Sequence, residues 1–281
     1  MTMVKILKLI SFVNLVFFPT TDTTNFKQTL LKRRQNRVHM GRDLTAGEYP
    51  YVILLIVISE EESTYARACT GSMITATWGI TASHCLQTKN FGRNLKTYVA
   101  YDNFTVSPIF TGLYVPVIET FLHPSYCVFS TNGGKNDIIV NNDVGLFRSE
   151  NVPKKSYAVL LATEYSTLVG LPVVYVGGGR TKMEPDYMDA FRPLQVGEAT
   201  IINCDEKMRS KSKFVICLAP KCSNRLETIW YGDSGGPLIY DGKIIGVASY
   251  IIEHKIIKRM GYAPVSPYVD WISSVMNGHK R

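Results

Sequence analysis

The chain has 281 residues, 46% of them hydrophobic, with Gly and Pro scattered along it. That argues against disorder beyond the ends and allows one large domain or two smaller ones around an ample core. The net charge of +8 would point to a nucleic-acid or membrane partner, but seven basic residues and one acid sit in residues 1–37. The rest carries 24 basic and 22 acidic residues, so no nucleic acid and no stable membrane association is implied once that segment is gone.

Lys5 and Lys8 precede or interrupt an apolar stretch from Ile6 to Phe18, and the polar run Thr20-Thr21-Asp22-Thr23-Thr24 follows. A charged start and a short apolar core predict a secretory signal peptide over 1–22, although no small-x-small pattern marks its cleavage. The stretch falls short of the roughly 20 apolar residues of a membrane span, which leaves an N-terminal anchor as the alternative. The expectation is a secreted, extracellular protein. In an oxidising compartment the six cysteines are disulfide candidates. Cys217 and Cys222 lack a C-x-x-C partner and no H-x-x-x-H pair exists, so no metal site is expected. The segment 23–37 ends in Lys32-Arg33-Arg34-Gln35-Asn36-Arg37, either a solvated basic tail or an exposed processing site.

From Tyr51 onward the chain reads as strands. Tyr51–Ile58 is an almost continuous β-branched and apolar run, the pattern of a strand buried on both faces. Shorter runs follow at Ser72–Ile74, Val115–Ile118, Leu171–Val176, Phe214–Leu218, Pro237–Tyr240 and Ile244–Ile252. Asp241-Gly242 is a hairpin signal between the last two. At the C-terminus Val269, Ile272, Val275 and Met276 share one helical face, with Gly278 as a stop. The predicted fold class is all-β with a terminal helix.

Gly232-Asp233-Ser234-Gly235-Gly236 offers a serine between glycines that let a substrate approach the backbone closely. A serine hydroxyl is a poor nucleophile until a base takes its proton, so a histidine and an acid are required elsewhere. The run also satisfies G-x-S-x-G, the elbow of α/β-hydrolases, but that esterase reading needs acid and histidine after the serine. Here only Asp241, Asp270, His254 and His279 follow, close to the end of a β-rich chain. Upstream, Thr81-Ala82-Ser83-His84-Cys85 follows Cys69-Thr70-Gly71-Ser72-Met73-Ile74 and Trp78, and Asn142-Asp143-Val144-Gly145-Leu146 lies between His84 and Ser234. His123, before Pro124, reads as a loop residue, and His39, His254 and His279 have no motif around them.

With these motifs in the order histidine, acid, serine, the chain resembles the chymotrypsin-like (trypsin-like) serine proteases from about Val38 to the C-terminal helix. The resemblance implies two antiparallel β-barrels within 38–281, with a break near 150–162 and the site between them. It implies Ser234 as nucleophile, His84 as general base, Asp143 as its orienting acid, and the N–H groups of Gly232 and Ser234 as the oxyanion hole. It also implies the disulfides Cys69–Cys85 and Cys204–Cys217, and leaves Cys127 and Cys222 either paired or free. Residues 23–37 become an activation propeptide cut after Arg37, whose new terminus at Val38 would pair with Asp233. Val38-His39-Met40-Gly41 departs from the family's usual Ile-Val-Gly-Gly.

The specificity pocket departs further. Thr228 stands six residues before Ser234, where trypsins carry an aspartate, and Ile229 and Trp230 follow in place of a bracing cysteine. Ser249-Tyr250-Ile251 matches the family's Ser-Trp-Gly strand, along which substrate backbone pairs. Ile251 puts a branched side chain at the pocket mouth, and Met260 or Gly261 lines the far wall, depending on a one-residue alignment choice. A narrow apolar pocket for small aliphatic side chains is expected. Gly177-Gly178-Gly179 stands for the family's Gly-Trp-Gly, and the missing tryptophan is expected to loosen packing near the activation region. Asn103-Phe104-Thr105 is an N-glycosylation sequon. No metal or organic cofactor is implied. The expected partners of a monomeric chain are a polypeptide substrate, an activating protease and protein protease inhibitors. The rival from another class is a catalytically silent, protease-like binding module with an occluded pocket.

Overall fold

In the computed structural model the described residues are 41–59, 64–87, 95–130, 138–179, 191–221, 228–254 and 257–279. Strand β1 (Arg42–Asp43) is followed by β2 (Val52–Ser59), the strand predicted from the apolar run. Every residue of β2 is buried, because it pairs with a neighbour on each edge and is covered on both faces. Side chains alternate across a strand. Ile53 and Leu55 therefore enter one core with Val99 and Phe147, while Leu54 and Ile56 enter another with Val176, Leu194 and Val196.

β2 joins β3 (Thr64–Met73), β4 (Trp78–Thr81), β5 (Leu95–Ala100), β6 (Tyr114–Leu122) and β9 (Gly145–Ser149) in a closed antiparallel barrel. A separate hairpin, β7 (Cys127–Ser130) with β8 (Ile138–Asn141), projects between β6 and β9. The second barrel runs β11 (Gln195–Ile202), β10 (Pro172–Gly177), β13 (Pro237–Tyr240), β14 (Lys243–His254), β15 (Ile257–Pro264) and β12 (Ile216–Pro220). Pairing of β12 with β11 closes it, and β1 adds to the outer edge of β11. Its interior holds Tyr175, Ile201, Leu218, Leu238, Ile245 and Tyr262.

The core between the barrels is built from the outward faces of β2, β10 and β11, closed by Ile272 of the C-terminal helix Val269–Gly278. Closure leaves both six-strand sheets without long exposed edges. Asp241 and Gly242 take φ values of 49° and 71°, the left-handed pair that a two-residue hairpin turn requires. Several strands differ from the sequence expectation. Ser72 and Met73 are the tail of a ten-residue β3, and the run expected from Phe214 begins at Ile216. Strands β4, β5, β7, β8, β9, β11 and β15 carry no signal strong enough to be predicted, since each is short or interrupted by polar residues.

Candidate active site

His84 lies on a 3-10 turn (Ser83–Leu86) leaving β4, and the disulfide Cys69–Cys85 ties that turn to β3. Asp143 follows β8 with a side chain only 1% exposed. Its two oxygens are both used. His84 Nδ1 lies 2.8 Å from Oδ2, the His84 backbone N–H donates to Oδ1 at 2.9 Å, and the Ser249 hydroxyl donates to Oδ2 at 2.6 Å. A carboxylate on Nδ1 holds the proton there and leaves Nε2 as the acceptor. Burial would lower the His84 pKa, but the Asp143 charge and hydrogen bond outweigh it and raise the pKa above its ordinary value. Burial would raise Asp143, yet the His84 charge and the bonds from His84 and Ser249 hold it below the usual carboxylate range.

Ser234 sits in the turn between Trp230 and Gly236, against the first barrel. Thr70 N–H donates to Ser234 O at 2.9 Å, and Gly235 packs on Thr81 and Ala82, the residues leading into the histidine turn. Gly232 takes φ of 92°, a conformation costly for any residue with a Cβ. Among the described residues neither Gly232 N–H nor Ser234 N–H donates to an acceptor, while Gly235 and Gly236 N–H are both committed. Two unused donors beside a partly exposed serine are the arrangement that binds a developing oxyanion.

Asp233 points the other way and is buried. Its oxygens accept Gly179 N–H and Trp230 N–H, each at 2.7 Å. A Cβ on Gly177 or Gly179 would collide with Asp233, so this stretch must be glycine for the acid to fit. Packing at Gly178 corrects the expected looseness: the space is filled by Leu54 and Leu194, and even a Cβ would run into them.

Residues that the sequence reading passed over complete this region. Thr70 Oγ1 donates to Gly232 O at 2.8 Å and accepts Gly178 N–H at 3.0 Å, while Thr70 O accepts the Thr81 hydroxyl at 2.8 Å. The Arg67 guanidinium donates to Phe104 O at 2.6 Å and Arg192 O at 3.0 Å, and the buried Arg192 donates to Gly178 O at 3.3 Å. Nothing local in the sequence distinguishes Thr70 from a filler of the strand. Arg67, a charge inside the otherwise buried β3, is the one signal that could have been noticed.

Thr228, Ile229 and Met260 are buried, and Ile229 N–H points at Met260 Sδ at 3.4 Å. Pairing of β14 with β15 sets Tyr250 opposite Gly261 and Ile251 opposite Met260, with a bulge between Ala248 and Tyr250. Gly261 is covered by the Tyr250 ring. Cys204–Cys217 is the second disulfide, and Cys127 is exposed and free. Cys222, Arg37 and Val38 lie outside the described residues. Asn103 is exposed, its Oδ1 accepting the Thr105 hydroxyl at 2.9 Å. His123 stacks edge-on against Tyr268 and Trp271. Among the described residues, the grouping of potential metal ligands is Cys69, His84 and Cys85, whose two sulfurs are bonded to each other and offer no thiolate.

Two closed antiparallel barrels, with a carboxylate-held histidine and a glycine-flanked serine at their junction, define a serine-protease architecture. The trypsin family model matches residues 38–272, and the chain belongs to that family. It is a serine endopeptidase. A mouse (Mus musculus) chymase is 26% identical over 242 residues, 84% of this chain and 89% of the relative. Serine protease SP24D of Anopheles gambiae is 27% identical over 246 residues, 85% and 81% respectively. Trypsin eta of Drosophila melanogaster is 26% identical over 244 residues, 84% and 87%.

Proposed function

We propose that the chain is a secreted endopeptidase made as an inactive precursor, cleaving peptide bonds with Ser234, His84 and Asp143. The observation that carries this reading is the fully engaged Asp143 carboxylate on His84 Nδ1, next to a serine loop with two uncommitted N–H donors. Ser234 Oγ attacks the scissile carbonyl as His84 Nε2 takes its proton. The Gly232 and Ser234 N–H groups meet the oxyanion, and the imidazolium, steadied by Asp143, hands the proton to the leaving amine. Water then attacks the acyl-enzyme with His84 again as base.

Activation by cleavage after Arg37 is supported by reach. Arg42 of β1 pairs with Val196 of β11, which pairs with Val176 of β10, and β10 ends at Gly177 against Asp233. Two strand spacings are about 10 Å, and four extended residues back to Val38 span about 13 Å. The new ammonium of Val38 would then meet the Asp233 carboxylate and fix the oxyanion loop. For the pocket, Thr228, Ile229, Ile251 and Met260 support small aliphatic side chains, and Thr228 stands where a trypsin carries the aspartate that takes a Lys or Arg. A leader over 1–22, a glycan at Asn103, and partners limited to a polypeptide substrate, an activating protease and protein inhibitors complete the reading of a monomeric chain. No helix among the described residues is long and apolar enough to cross a membrane.

A fluorophosphonate probe, applied before and after cleavage at Arg37, tests the proposal. Labelling is expected in the cut form and absent from Ser234→Ala. An unlabelled cut form, or labelling that survives Ser234→Ala, overturns it. Peptide-library profiling tests the pocket, and strong cutting after Arg or Lys would refute the small aliphatic preference.

A further inference from the structure

Asp143 sits in a turn whose backbone is costly and whose neighbours on both sides are tied down. Asn142, the residue before it, takes φ of 52°, a left-handed conformation that asparagine tolerates better than most residues but that still needs support. The Asn142 carbonyl accepts Val144 N–H at 2.9 Å, which closes a three-residue turn with Asp143 at its centre. In so short a turn the flanks set the direction of the middle Cα–Cβ bond. Whatever holds Asn142 and Val144 therefore aims the Asp143 carboxylate. Val144 is held from the histidine side, its carbonyl accepting the Ser83 hydroxyl at 2.7 Å and His123 N–H at 3.3 Å.

Asn142 is held by its side chain. Its Nδ2 donates to Ser125 O at 2.8 Å, and its Oδ1 accepts the Tyr268 hydroxyl at 3.0 Å from 126 positions along the chain. Tyr268 ends the 3-10 turn Ser266–Tyr268 that leads into the C-terminal helix, and it is 2% exposed. Its ring lies edge-on to His123 at 5.0 Å and to Phe214 at 6.3 Å, and its backbone N–H donates to Val265 O at 2.9 Å. His123 belongs to the same frame, its Nδ1 accepting Ser125 N–H at 3.2 Å. Burial first, and then the Asp143 charge, raise the Tyr268 pKa, so the phenol keeps its proton and stays a donor. Packing alone does not account for this arrangement. A phenylalanine would fill the place of the ring, and a glycine at 142 would take the left-handed backbone at less cost. Neither would join the helix turn to the acid. We propose that Tyr268, acting through Asn142, is a positioning residue for the triad, its hydroxyl holding the left-handed backbone that aims the Asp143 carboxylate at His84. The inference rests on the reading of Ser234, His84 and Asp143 as that triad.

The test uses the cut protein and one fluorogenic peptide. Tyr268→Phe should lower kcat by about five- to thirtyfold with KM within about twofold, since a relaxed turn acts on the acid and not on substrate binding. The acid limb of the rate profile should move down in pH, because burial lowers the His84 pKa wherever the Asp143 charge and hydrogen bond support it less. Asn142→Gly should show the same lowered kcat and shifted limb. Adding Tyr268→Phe to it should cost nothing further, because the hydroxyl has lost the group it acts on. NMR titration of His84 in Ser234→Ala protein should show the same fall in pKa on Tyr268→Phe, which reports the link without turnover. An unchanged kcat and limb in Tyr268→Phe, a loss carried by KM, or losses that multiply in the double variant overturn the inference. Where Tyr268→Phe does not fold, Asn142→Gly keeps the ring packing and decides by its own limb, and an unshifted limb there overturns the inference. Fluorophosphonate labelling of the cut protein separates the two failures. A labelled enzyme indifferent to Tyr268→Phe loses only the Tyr268 link, whereas an unlabelled one loses the triad reading and the His84 titration still decides the link.

Discussion

Thr70 and Gly232 stand 162 positions apart in the chain, and the threonine hydroxyl holds the glycine carbonyl at 2.8 Å. That bond sets the plane of the Gly232–Asp233 peptide from the opposite barrel. The Thr70 backbone N–H fixes the next carbonyl but one, that of Ser234. The loop whose N–H groups are proposed to meet the oxyanion is therefore shaped partly by β3.

Replacing Thr70 by Val keeps the shape and removes the hydroxyl, stranding Gly178 N–H and Gly232 C=O. An unmet buried polar group costs about 1–3 kcal/mol. The expected result is a kcat lowered by about ten- to a hundredfold with KM nearly unchanged, and recovery in Thr70→Ser. Steady-state kinetics on one peptide check it, and equal losses in Val and Ser variants would contradict it.

With His84 as the proposed general base, its raised pKa should set the acid limb of kcat/KM above that of an ordinary histidine. Activity rises with pH as the imidazole loses its second proton and can accept one from Ser234. In Asp143→Asn the charge that raises the pKa is gone and burial is left to lower it. The limb should move down in pH while kcat drops about 10⁴-fold. Stability should move oppositely for the two partners. The His84 contribution is present at low pH and lost as pH rises through its raised folded pKa. The Asp143 contribution is present above the ordinary carboxylate range and lost as pH falls through its lowered folded pKa. Rate profiles and denaturation curves across pH report both.

Gly178→Ala should destabilise the fold by about 1–3 kcal/mol, because its Cβ meets Leu54 and Leu194 across the barrel interface. Leu54→Ala alone should also destabilise, but the double variant should recover part of the combined loss. A denaturant-unfolding cycle measures the coupling, and strict additivity would mean that the site is not tightly packed.

Met260→Gly removes the side chain that faces Ile251 across β14 and β15. Selectivity should move towards larger apolar residues, with kcat/KM for Leu or Phe rising relative to Ala or Val. A stability cost of about 2–5 kcal/mol is expected for the emptied core volume. An unchanged preference would remove Met260 from the pocket.

Much of the fold was legible because it is written locally. The run at β2 needs two covered faces, Asp241-Gly242 needs left-handed φ values, and the face at Val269, Ile272 and Val275 needs a helix. The one-residue ambiguity at Met260 and Gly261 was not legible, since it depends on strand register and on a bulge between Ala248 and Tyr250. The expectation of loose packing at Gly178 failed for a similar reason. Two leucines that fill the space come from β2 and from just before β11.

The sequence by itself determined the class of this protein. A histidine, an acid and a serine in that order, each with its flanking residues, mark the trypsin family. The tertiary structure decided the rest: Asp143 held by Ser249, Gly232 by Thr70, Asp233 by Gly179, and Gly178 by two arginines. Such bonds join residues from separate strands and loops, and their strength depends on distances of a few tenths of an ångström. Composition and periodicity carry no record of such distances, which appear only when the two barrels close against each other.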